Sequence, residues 1–110
     1  MFPDSQFRAT VAHYAGRLII NNVVQIPGNK YGCSLTFRQP WPGLERYADM
    51  TTAGGRWLLL FEYSDPGREG CKYHLQENDT AIDGPEGITD HYRGGSLFEA
   101  CRVLEHILKS

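Results

Sequence analysis

Trp57-Leu58-Leu59-Leu60-Phe61-Glu62-Tyr63 is the stretch on which the fold turns. Side chains alternate across a strand, so Trp57, Leu59, Phe61 and Tyr63 fall on one face while Leu58 and Leu60 fall on the other. A strand apolar on both faces belongs in the middle of a sheet. The following Asp65-Pro66-Gly67-Arg68-Glu69-Gly70 is rich in turn chemistry. Cys71 to Gln76 then sets Cys71, Tyr73 and Leu75 against Lys72, His74 and Gln76, so the two runs predict a hairpin. Upstream, Tyr31 to Arg38 places Tyr31, Cys33, Leu35 and Phe37 opposite Ser34, Thr36 and Arg38. Leu18 to Ile26 also alternates and reads as one strand, joined to Tyr31 through Pro27-Gly28-Asn29-Lys30. A short strand is expected at Ile88 to Arg93.

The helices lie outside this run of strands. Ser96, with Glu99 three residues on and Gly94-Gly95 before it, forms a capping box. From about Leu97 to Leu108 the residues Leu97, Ala100, Cys101, Leu104, Ile107 and Leu108 share one face at helical spacing. Glu99, Arg102, His106 and Lys109 line the other. Residues 5–15 fit a helix ended by Gly16 and fit a strand equally well; the helix is the preferred reading. Trp41 to Met50 is read as a short helix beginning after Pro42. The predicted fold is therefore α+β: a single-layer, mostly antiparallel sheet of four to six strands packed against a C-terminal amphipathic helix, with an N-terminal helix, in one domain over residues 1–110.

Composition agrees with a folded domain and excludes several classes. Hydrophobic residues make up 41% and charged residues 22% of the 110 residues, ordinary values for a globular chain and far from those of disorder. Eleven Lys and Arg against thirteen Asp and Glu give a formal charge of −2, too weak a field to gather phosphates, so nucleic acid is disfavoured. No apolar run approaches a membrane span, and Met1-Phe2-Pro3-Asp4 lacks the basic and apolar regions of a signal peptide. The expectation is a cytoplasmic protein. Cys33, Cys71 and Cys101 have no paired spacing, and an odd count argues for three reduced thiols.

The order of elements is similar to that of a double-stranded-RNA-binding domain in topology alone. Leu97, Phe98 and Glu99 stand where such a domain begins its last helix with basic residues that clamp phosphates. No function follows from the resemblance.

Chemistry-bearing residues are few. Cys71 and His74 are three apart, which on a strand sends them to opposite faces and prevents cooperation. The loop from Asn78 to Gly87 is acidic, but Ala81 takes one ligand place of a calcium loop and Tyr92 stands at its closing position, so no metal site is expected. Arg93-Gly94-Gly95 leads to a helix N-terminus that favours anions, though Glu99 repels them. When the strands are combined, Ser34, Thr36, Arg38, Glu62, Lys72, His74, His91 and Arg93 are placed on one polar face with Leu58 and Leu60 at its middle.

Two functions follow from that face. The leading one is a non-catalytic binding or protein-interaction domain, because no nucleophile with a base, nucleotide loop or cofactor motif is found. The other is a small enzyme or ligand-binding protein in which Glu62 and His74 handle protons while Arg38 or Arg93 holds an anionic group and His91 stands nearby. The C-terminal helix can cover only one face of the central strand. A homodimer hiding Leu58 and Leu60 is therefore expected, with an unidentified protein or small molecule as a further partner.

Overall fold

The computed structural model describes residues 3–21, 23–38, 41–67 and 69–110, and the side chains of all of these except residues 3–5, 26 and 27. Helix α1 (Pro3–Tyr14) is followed by β1 (Arg17–Ile20) and β2 (Val23–Asn29). Strands β3 (Ser34–Arg38), β4 (Leu44–Thr51), β5 (Trp57–Tyr63), β6 (Tyr73–Asn78) and β7 (Ile88–Gly94) come next, and helix α2 (Leu97–Lys109) ends the series. The last five strands form one antiparallel sheet in the order β3-β4-β5-β6-β7, while β1 and β2 pair only with each other. The α+β fold, the central place of Trp57–Tyr63 and the strand at Ile88 all agree with the sequence expectations.

Both helices lie on one face of the five-stranded sheet. Phe7, Val11 and Ala15 at the first helix and Ala100, Cys101, Leu104 and Ile107 of α2 pack on Ala48, Met50, Leu58, Leu60 and Leu75 in a single core. Each fully buried leucine there stabilises the fold by about 1.5–3 kcal/mol. A second cluster of Leu44, Leu59 and Phe61, with Tyr47, Trp57 and Tyr63 packed on it, occupies the other face and contains no helical residue.

Four sequence expectations are corrected. Trp41 to Met50 holds no helix: Leu44–Thr51 is the longest strand, hydrogen-bonded to β3 and β5. Its helix-forming residues are overruled by pairing on both sides, because sheet contacts outweigh propensities of a few tenths of a kcal/mol. Leu18 to Ile26 is not one strand but most of a hairpin, which turns at Asn21 with its φ of 53°. β6 begins at Tyr73, so Cys71 lies before it and is half-buried, whereas Cys33 and Cys101 are fully buried; none of the three is in a disulfide. Finally, Leu58 and Leu60 are 0% exposed beneath the helices rather than on an open face. They cannot form the expected interface.

The helix ends show how local chemistry sets the frame. Gly16 closes α1 with a φ of 75°, and a Cβ there would stand 2.5 Å from the Tyr31 ring, so only glycine fits. At α2, Ser96 Oγ accepts from the Glu99 N–H at 3.1 Å. The reciprocal half of the capping box is replaced: the Tyr92 hydroxyl accepts from the Ser96 N–H at 3.2 Å and donates to Glu99 at 3.1 Å. Ser96→Ala is expected to lower stability by about 1 kcal/mol in a denaturant melt, with an unchanged far-UV spectrum. A midpoint equal to that of the native protein would show that this hydroxyl caps nothing of consequence. Among the described residues no helix is long and apolar enough to cross a membrane.

Candidate functional site

Register decides which side chains meet. Directly opposed residues of an antiparallel pair share a face. Phe61 stands opposite His74, and Glu62 opposite Arg46 on one side and Tyr73 on the other. Glu62 therefore points to the helix face and His74 to the open face, and the two cannot act together as acid and base. Of the residues expected on one polar face, Ser34, Thr36, Arg38, His74 and Arg93 do lie together on the open side. His91 is the extra residue of an irregularity in β7, where its Nε2 hydrogen-bonds Glu77 at 2.8 Å.

The open face carries a chain of polar groups. His74, 4% exposed, holds Asp90 Oδ1 at 2.6 Å through Nε2 and the Tyr63 hydroxyl at 3.1 Å through Nδ1. A carboxylate only accepts, so Nε2 carries the proton given to Asp90, and in the neutral ring the Tyr63 hydroxyl donates to Nδ1. Arg93 Nε donates to the other Asp90 oxygen at 3.2 Å. The His74 N–H, with help from Arg93, keeps the Asp90 carboxyl below its usual range. Burial pushes the Tyr63 phenol up, so Tyr63 is a neutral hydroxyl at physiological pH and not a phenolate nucleophile.

Rings surround this chain. Trp41 lies 5.2 Å from Tyr47 and 5.9 Å from Phe61, Tyr47 lies 5.8 Å from Phe61, and Phe61 stacks 6.3 Å from Tyr63. These are the separations of attractive ring pairs. Trp41 is 54% exposed. Toward the β3 edge, Asp49 accepts from Arg38 and from the Trp57 indole, both at 2.8 Å. At the far end of β5, Arg56 grips Glu77 with two bonds of 2.7 Å, holding that carboxyl down at about 2.

The helix face has its own polar row. Arg46, Glu62 and Tyr73 stand side by side on three neighbouring strands, where the layers above them are Ala48, Leu60 and Leu75. Glu62 is in contact with the Arg46 guanidinium and accepts from the Tyr73 hydroxyl at 2.6 Å. Burial, followed by the adjoining Glu62 carboxylate, raises the Tyr73 phenol well above its ordinary value. The row lines a cavity of ≈ 400 Å³. A second cavity, of ≈ 630 Å³, opens beside the base of the hairpin between Arg17, Lys30 and Glu105. Neither includes His74.

The acidic loop is knit to itself. Asp79 Oδ1 accepts from the Ala81 N–H at 3.0 Å, and a Cβ on Gly87 would meet the Asp79 and Ile82 carbonyls at 2.7 and 2.6 Å. Among the described residues no three His, Cys, Asp or Glu side chains converge as a metal site.

Sequence reading missed Asp90, Tyr63, Arg46 and Tyr73. Alternation places Tyr63 with Phe61 and Tyr73 with Leu75, so those two were within its reach; Asp90 and Arg46 needed the register between strands. No family model, curated protein or solved structure matches the chain.

Proposed function

We propose that this is a small non-catalytic binding domain that recognises its partner with the aromatic open face of the sheet, and that a second copy of the chain occupies this face in a homodimer. The observation that carries the reading is the cluster of Trp41, Tyr47, Phe61 and Tyr63 on the face that no helix covers. Aromatic and arginine side chains with few lysines are the composition of interface centres. The arginines of this face already hold carboxylates, Arg38 on Asp49 and Arg93 on Asp90. That leaves little field for phosphates and supports a protein surface over nucleic acid. His74 engaged at both nitrogens and a neutral Tyr63 support binding over proton transfer. The free cysteines suit a reducing, cytoplasmic setting.

Two-fold pairing is the commonest way for a small domain to cover such a face. Five strands about 4.8 Å apart and some six residues long offer roughly 500 Å² of plan area, toward the small end for a stable dimer at about 800 Å² per partner. Micromolar association follows. Sedimentation equilibrium is expected to show a monomer–dimer equilibrium in that range, and Trp41→Lys, at an exposed site, to give a folded monomer. A native chain that stays monomeric at the highest soluble concentration would remove the dimer.

A further inference from the structure

The cavity on the helix face has the construction of a ligand site. Its floor is the Arg46–Glu62–Tyr73 row, with the Glu62 side chain only 6% exposed. Phe7 of α1 and Leu97 of α2 supply apolar walls, and Glu45 and Lys72 stand at the mouth. The volume of ≈ 400 Å³ lies in the range of small-molecule pockets.

The polar floor is not what packing alone would select. A buried ion pair costs desolvation that its mutual attraction barely repays, and apolar residues of similar size usually serve stability as well or better. Two layers of the same strands use Ala48, Met50, Leu58 and Leu60. In β4 and β5 the third layer departs from that pattern where the cavity begins.

The charges that line the cavity constrain what can enter. Arg46 and Lys72 oppose Glu45 and Glu62, so the lining sums to zero. A ligand with net charge would bring an uncompensated ion into a partly enclosed place. A ligand carrying both signs meets both. Arg46 and Glu62 are cross-strand neighbours whose Cβ atoms stand about 4.5–5.5 Å apart. The two charges of the ligand must then be adjacent, as on one α-carbon, and not at the ends of a long chain.

We propose that this cavity binds a small zwitterion of the α-amino-acid class. Its carboxylate faces Arg46 and Lys72, its ammonium faces Glu62 and Glu45, and an apolar side chain rests on Phe7 and Leu97. The site lies across the sheet from the aromatic face, so it does not depend on the dimer, and failure of either proposal leaves the other standing.

Thermal unfolding and isothermal titration with L-phenylalanine and L-leucine test this, beside phenethylamine, 3-phenylpropanoate and N-acetyl-phenylalaninamide, each at about 10 mM, a level at which millimolar binding measurably stabilises a fold. The expected result is a rise in Tm with the two amino acids and none with the three analogues, which lack one charge or both. Lys72→Met and Glu45→Gln remove contacts at the solvent side of the cavity, the Lys72 bond to the Tyr63 carbonyl at 3.5 Å and the Glu45 pair with Arg46 at 3.6 Å. Because such partly exposed contacts contribute little, both are expected to melt close to the native chain. Each should weaken amino-acid binding by about tenfold, which is 1.4 kcal/mol. Absence of any response to either amino acid would overturn the assignment. So would an equal response to the uncharged amide, or undiminished binding by both mouth variants.

Discussion

Leu60→Lys is expected to abolish cooperative folding. Leu60 is fully buried at the centre of β5, opposite Ala48 on one side and Leu75 on the other, with both helices over it. Removing a buried leucine of this kind costs about 2–5 kcal/mol. The new ammonium adds the penalty of an ion without a partner, itself several kcal/mol even after relaxation. The sum, on the order of 5–10 kcal/mol, reaches into the roughly 5–15 kcal/mol that holds a typical domain together. Loss of the near-UV signal and of a thermal transition would report it. A soluble, cooperatively melting Leu60→Lys monomer would instead mean that this face meets water or another subunit.

The Arg46–Glu62–Tyr73 row gives the second large effect. Arg46→Met leaves Glu62 without its guanidinium in a place where water hardly reaches, and stranding one member of a buried pair costs about 3–5 kcal/mol. Arg46 keeps 18% of its side-chain surface exposed, so the lower end is expected. The triple change Arg46→Met, Glu62→Leu, Tyr73→Phe removes every polar atom of the row and should restore most of that loss, because no charge is then left unpaired. Urea melts of the two variants make the comparison. A loss of less than about 1 kcal/mol for Arg46→Met, typical of an exposed pair, would show that solvent solvates Glu62 freely.

What the sequence revealed of the fold was set by local chemistry. Ser96 before Leu97, Gly16 after α1 and the alternation of Leu35 and Phe37 against Thr36 and Arg38 are each decided within a few residues. The hairpin turn at Asn21 was missed because Leu18, Ile20, Val24 and Ile26 keep one parity across the break at Asn21-Asn22, although asparagine tolerates the left-handed conformation found there. The candidate sites were far less legible. β5 is apolar on both sides, so nothing within it tells which side the helices take. Choosing the aromatic side for the core carried Glu62 to the same imagined surface as His74. A one-step question of parity between β5 and β6 thus separated two residues that a sequence pattern had joined.

From β3 to β7, spatial order repeats chain order. Each strand therefore finds its partner across a short connection, the longest being residues 64–72 and 79–87. The entropy of closing such loops is small and rises only with the logarithm of their length. Contacts near in sequence also favour rapid assembly. The exception is the packing of Phe7 and Val11 against Ala100 and Leu104, which brings together segments separated by the whole meander. The greatest chain-entropy cost of reaching this topology falls on the pairing of the two helices, while the sheet between them forms in a series of local steps.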